Sequence, residues 1–402
     1  MGEQDTRLEN LHNMDWDERW NMANNPNTAV EVLTVLETDE DWVVREAVAG
    51  NRSAPVEALA ALAEDGEWPV RRAVAENPNT SYEVLDKLAG DGNWGVRLEV
   101  AKNQHSTAEA LNKLVADEDC KIRQSVAGNT SASSEALDVL ATDEEWIVRE
   151  AVAGNRSAPG DVLNRLATDE DEHIRWLVAN NPSAPAKALN RLTTDESLDV
   201  RQAVAVNPRT PPDELDALAT DEDKYVRCGV AVNTSTSGDT LTILATDEEW
   251  IVRGVVAENQ NTSYEVLDKL AGDENWDVRR AVAENPNTTA EALRRLATDE
   301  NNSIRSAVAG NPNASGEALS ILATDEDSEV RLAVAGNPNV TENVLLRAYR
   351  DRSTKVREAV ARNPKIPTEA AINLSTSKVL RIRRALSENP AVPEHIRVGL
   401  SL

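Results

Sequence analysis

Apolar and polar positions along this chain recur with a fixed period. In "DEEWIVREAVAGN" (Asp143 to Asn155), Val148, Ala151 and Val152 stand at i, i+3 and i+4, the spacing of one buried helical stripe. In "TSYEVLDKLAGD" (Thr80 to Asp91), Leu85 and Leu88 mark a second short helix. Their counterparts are Leu in 13 and 14 of fifteen copies. A small residue, Ala75 and its equivalents, recurs in fourteen copies and predicts close helix approach.

Local signals set the expected boundaries. Asp143 reads as the N-cap of the first helix, with the acids behind it complementing the helix dipole. Asn155 reads as its stop, in the left-handed conformation that Asn tolerates, and Pro follows this Asn in nine of the fifteen copies. Thr80 and Glu83 have the spacing of a capping box for the second helix, and Pro55 and Pro211 read as first helical residues in other copies.

The register is strict. An Arg recurs every 26 residues from Arg19 to Arg383, fifteen times without an insertion, and six residues after each stands an Asn, from Asn25 to Asn389. A helix of either length is unstable alone, so stacked neighbours must supply the burial. The expected fold is all-α, an α-solenoid of about fifteen 26-residue two-helix repeats. Residues 1–13 read as an N-terminal extension and residues 14–402 as a single repeat array. "VREAVAGNRSAP" occurs at Val44 and again at Val148, four repeats on, which points to growth by copying whole units.

The pattern "VRRAVAENPNTSYEVLDKLAGD" (Val70 to Asp91) resembles the leucine-rich repeat variant family and, more distantly, HEAT-like α-solenoids. The resemblance implies a right-handed superhelix of paired short helices, one of which can be a 3₁₀ turn. The family's founding member carries an N-terminal iron–sulfur cluster. With no Cys in the N-terminal region here, that cluster is not carried over, and no cofactor is expected.

Charge narrows the partners. The chain carries 42 Lys/Arg against 70 Asp/Glu, a net charge of −28, which disfavours general nucleic-acid binding. Residues 341–402 hold 12 Lys/Arg against 6 Asp/Glu, or +6, leaving −34 for residues 1–340. This basic end, with Ser387 in place of the repeated Ala, reads as a polar C-terminal cap. Cys120 and Cys228 are too few for a disulfide framework, no stretch is long enough to span a membrane, and "MGEQDTRLEN" lacks a secretory pattern. A cytoplasmic chain without a membrane partner is expected, although "MGEQDT" matches the loose myristoylation pattern.

Most repeated polar residues read as scaffold. The recurrent Arg is expected to pair with carbonyls or with the Asp present in thirteen copies, such as Asp39, Asp65 and Asp91. Contiguous acids such as Asp143, Glu144 and Glu145 lack the spaced ligands of a calcium loop, and the four His are dispersed, so no metal site is expected. No nucleophile or phosphate-loop motif stands out, and catalysis is not expected.

The tryptophans are different. Trp16, Trp42, Trp68, Trp94, Trp146, Trp250 and Trp276 lie three residues before the repeat Arg, and Trp20 and Trp176 one residue after it. These positions are i and i+4, one face of the first helix, about 160–200° from the Val stripe at ~100° per residue. Such Trp either seal neighbouring helices or form a partner-binding edge. The expected function is a non-catalytic protein-binding scaffold for a protein or peptide of basic and apolar character. Self-assembly by head-to-tail stacking and nucleic-acid binding through the basic C-terminal repeats are the alternatives.

Overall fold

The computed structural model describes residue 11 and residues 14–400, so the first ten residues, and with them the myristoylation pattern, lie outside it. Among the described residues there are thirty helices and no strand, and the helices start at 26-residue intervals. First helices have nine residues, as in Trp42–Gly50, and second helices mostly seven, as in Val56–Leu62. Both are α-helical. By its contacts the chain divides into residues 1–209 and 210–402. In each of these units, first helices pack on the first helices of adjacent repeats, and the second helices form another layer.

The core follows the apolar pattern. Val148, Val152 and Ala153 are buried in the first unit, as are Val278, Val282 and Ala283 in the second. Leu85 and Leu88 are buried at 0% and 2% exposure. Each Val or Leu contributes about 1.5–3 kcal/mol when fully buried, which offsets the cost of ordering helices this short. Ala151 is only partly covered; Ala153 takes the deeper place.

Two polar ladders tie the repeats together. The amide of Asn155 donates to the carbonyls of Ala127 and Asn129 in the preceding repeat, at 2.7 and 3.1 Å, while its Oδ1 accepts the Ser157 N–H. In the second unit Asn285 does the same with Ala257, Asn259 and Asn287. The expected left-handed conformation is absent. Asn155 has φ −72° and ψ 121°, and no non-glycine residue among those described has positive φ. The Asn is selected because it donates to one repeat and accepts from its own, which neither Asp nor Gly can do.

The second ladder uses the recurrent Arg. Arg45 grips Asp65 of the next repeat through Nε and Nη2, at 2.6 and 3.1 Å, and Nη1 donates to the carbonyl of Asp39 in its own repeat. Arg253 and Asp273 repeat the geometry in the second unit. Planar bidentate pairing of this kind needs Arg; Lys cannot supply it.

The expected caps shift by one or two residues. Asp143 is not an N-cap: its carboxylate takes Arg123 and the Glu145 N–H, and Glu145 occupies the cap position. Thr80 does not form a capping box with Glu83; its hydroxyl donates to the Val74 carbonyl at 2.6 Å. The cap of the second helix is the next residue, as where Thr107 and Ser133 accept from Ala110 and Ala136. Pro55 and Pro211 fill that cap position rather than the first helical turn.

Candidate functional site

Three consecutive acids precede Trp42, and the fold gives each a separate task. Asp39 is buried at 2% exposure beneath Arg19. Asp41 caps the helix, its side chain accepting from Val43 N–H at 3.0 Å. Glu40 between them keeps a side chain 90% exposed, 3.7 Å from Arg19 Nη2. Glu118 and Glu170 in the first unit and Glu274 in the second are placed alike, their side chains 91–92% exposed. These repeats therefore present a solvent-exposed carboxylate, within 4.0 Å of a ladder Arg, two residues before the start of the first helix, which is Trp42 or Trp276 in two of them and Cys120 or Glu172 in the other two.

The indoles are held by backbone that is itself fixed on both sides. In the first unit Trp16, Trp42, Trp68, Trp94, Trp146 and Trp176 are exposed by 36–55%, and Trp20 is partly covered. In the second unit Trp250 and Trp276 are exposed by 42% and 45%. Two of the rings show what covers their other side. A Cβ added at Gly95 would lie 3.7 Å from Trp68 Cζ3, so that indole leans on the start of the next first helix. Trp176 stacks on His173, centroids 5.6 Å apart and 13° from parallel, while His173 Nε2 lies 3.1 Å from Glu150 Oε1. In the second unit an open groove of about 750 Å³ runs beside Trp276, lined by Glu300, Asn302, Glu326 and Asp327.

The ladder carboxylate three residues before Trp146 is held in its charged form. Burial pushes the Asp143 carboxyl up, but the Arg123 guanidinium, the Glu145 N–H and the charge of Arg149 outweigh it and hold the group below its ordinary value. The edge can thus offer indole faces and exposed carboxylates together, the chemistry that receives an alkylammonium or guanidinium group with an apolar stem. Among the described residues no group of three or more His, Cys, Asp or Glu is placed to hold a metal ion. No described helix is long and apolar enough to cross a membrane.

Four stretches, residues 42–67, 146–171, 198–223 and 276–301, match the leucine rich repeat variant family model. Each stretch begins on the first residue of a first helix and runs one full period. Four of the fifteen repeats thus match the leucine rich repeat variant model. A solved structure described as a leucine-rich repeat variant with a novel repetitive structural motif is 29% identical, covering 55% of this chain and 87% of that one, with a TM-score of 0.41. Yeast importin-β, Kap95p, is 10% identical across 99% of this chain and 59% of its own, with a TM-score of 0.31. Kap121p bound to Ste12p is also 10% identical, over 97% of this chain and 47% of that one, at a TM-score of 0.33. The chain thus spans about half the length of these karyopherins. No curated protein is matched.

The repeat period accounts for how the Trp are grouped. The 26-residue period placed all nine Trp on one helix face, and the structure keeps eight of them more than a third exposed. What the sequence pattern missed is the middle acid of each triplet, Glu40 and its equivalents. Its only signal in the sequence is its place between a ladder residue and a cap residue; in the structure it lies at the outer edge of the ladder Arg, 3.7 Å from Arg19 Nη2 in the case of Glu40.

Proposed function

We propose that this repeat array is a non-catalytic protein-binding scaffold, and that the Trp-bearing edge of its first helices is the recognition surface. The observation that carries this reading is the half-exposure of Trp42, Trp146 and Trp250, each two residues after an exposed Glu (Glu40, Glu144 and Glu248). A Trp needed only as a seal would be driven toward full burial, because its apolar area is the largest of any side chain. The partner is a protein or peptide segment with Lys or Arg among apolar residues: the indoles take the apolar stems, and Glu40, Glu170 or Glu274 the cationic heads. The basic repeats after residue 341 lack Trp and fall outside this surface. Their polar end acts as a cap on the stack.

Selection from a random peptide library against the immobilised chain tests the reading. Basic, apolar peptides should be enriched, and the triple variant W42A/W146A/W250A should lose them. Enrichment of acidic peptides, or retention by the triple variant, argues against it.

A further inference from the structure

The Arg–Asp ladder has one internal gap. In thirteen repeats the residue six before the Arg is Asp, and within each unit it receives the Arg of the preceding repeat, as Asp65 receives Arg45 and Asp325 receives Arg305. At position 377 it is Ser. The last intact rung in the second unit is Arg331 with Asp351, at 2.7 Å. The next Arg, Arg357, has no acidic residue to meet.

The rest of the seat is built. Arg357 Nη1 is anchored as in other repeats, donating to the carbonyls of Asp351 and Arg352. Its Nη2 turns instead to the Thr354 hydroxyl at 3.2 Å, and among the described residues Arg357 forms no ion pair. Ser377 keeps the turn that an Asp makes here, its Oγ accepting the Val379 N–H at 3.2 Å, and its carbonyl accepts Arg383 Nη1 at 2.7 Å. The backbone frame of a rung is therefore present, and the carboxylate is missing. Nearby charge does not compensate. Glu358 is held by Arg362 and Arg381, at 2.8 and 3.1 Å, and residues 350–388 carry ten Lys/Arg against four Asp/Glu, a net +6.

A partly buried guanidinium whose Nε–Nη2 edge meets only the neutral Thr354 hydroxyl, and which is fixed from behind by two carbonyls, matches a planar or tetrahedral oxyanion through two parallel N–H donors once Nη2 exchanges that hydroxyl for the anion. We propose that Arg357 and Ser377 form an oxyanion site, at which a carboxylate or phosphate group from another molecule takes the place of the absent Asp. The Arg357 fork supplies two donors and the Ser377 hydroxyl a third. Lys378 beside it is exposed and adds to the field. This site is independent of the Trp edge, which does not extend beyond Trp276.

Hydrogen exchange of the full chain tests it, with inorganic phosphate and acetate as probes, each against chloride at equal ionic strength. In the natural sequence phosphate should slow exchange in the helix Thr354–Arg362 and at Val379 by about tenfold, the scale of one charge-assisted hydrogen bond. S377D should show that protection without added phosphate and no further change on adding it. R357K, which keeps the charge and loses the fork, should lose most of the phosphate effect. Acetate protecting as well as phosphate identifies a carboxylate as a sufficient ligand. Equal phosphate protection in S377D and the natural sequence, or protection no greater than with chloride, overturns the proposal.

Discussion

The side-chain amide of Asn155 reaches the carbonyl of Ala127, 28 residues back in the chain and 2.7 Å away in space. That bond, with its companion to Asn129, makes the buried end of one helix the acceptor for the next repeat. Asn155 is 4% exposed, so losing its side chain removes two buried bonds to carbonyls, at Ala127 and Asn129, and the side-chain acceptor of the Ser157 N–H.

Because Asn155 has negative φ, its backbone conformation sets no preference for Gly. N155G and N155V are expected to destabilise the chain by a similar amount, about 2–3 kcal/mol, the cost of unsatisfied buried groups. N155D should be worse than either, since it turns a carboxylate toward two carbonyl oxygens. Urea denaturation measures all three. A tolerated N155G beside a damaging N155V would restore the backbone explanation.

The acid limb of stability should report the Arg ladder. Asp65, Asp91, Asp117 and Asp143 in the first unit, and Asp273, Asp299, Asp325 and Asp351 in the second, are pushed up by burial but held below their ordinary value of 3.8 by their Arg partners and backbone N–H donors. A carboxyl depressed in the folded state stabilises fully above its unfolded value, and that contribution is lost as pH falls through the folded value. The ladder's contribution should therefore hold down to about pH 4 and fall away below it. D143N should be less stable at neutral pH and show a shallower acid slope. Parallel acid limbs for D143N and the natural sequence would remove the ladder from the account.

Removing one partner from a mostly buried ion pair leaves the other uncompensated. D143A should cost about 3 kcal/mol at neutral pH, the low end for breaking a buried pair, because Arg123 keeps 13% side-chain exposure. E144A, one residue on, should change stability by less than about 0.5 kcal/mol, as exposed surface substitutions do. Thermal unfolding of the two variants separates ladder from surface.

The tryptophans should be reachable by a neutral quencher. Eight indoles more than a third exposed predict efficient acrylamide quenching of the folded chain, with iodide less effective near the carboxylates. W146A should then cost only about 1–2 kcal/mol, in keeping with half an indole removed from water. Weak acrylamide quenching would mean that the rings seal the helices instead.

Much of this fold is legible in sequence because each rung recurs at one spacing. The 26-residue step fixed both helices, the Val and Leu stripes and the pairing of Arg with Asp. The roles of single polar residues were harder to read where local and inter-repeat partners compete. Asn155 sits where a helix-ending Asn commonly turns left-handed, and the bond that holds it extended goes to a residue 28 positions away. Asp143 and Thr80 were assigned to caps for the same reason: the carboxylate is taken by Arg123, one repeat earlier, and the hydroxyl by Val74, six residues back. The Trp edge was legible as a face. How much of each ring the next repeat covers, as Trp68 is covered near Gly95, depends on the stacking distance, which no pattern of residue types specifies.

The central claim is that the exposed indoles bind a partner and do little to hold the stack together. The most direct measurement is titration of one library-selected basic, apolar peptide into the natural chain and into W146A, with the thermal midpoint of each recorded under the same conditions. The account predicts that W146A binds at least about 2 kcal/mol more weakly, the scale of an interface anchor, while remaining folded at the titration temperature. Unchanged affinity in a folded W146A, or a loss of binding that tracks unfolding alone, would contradict it.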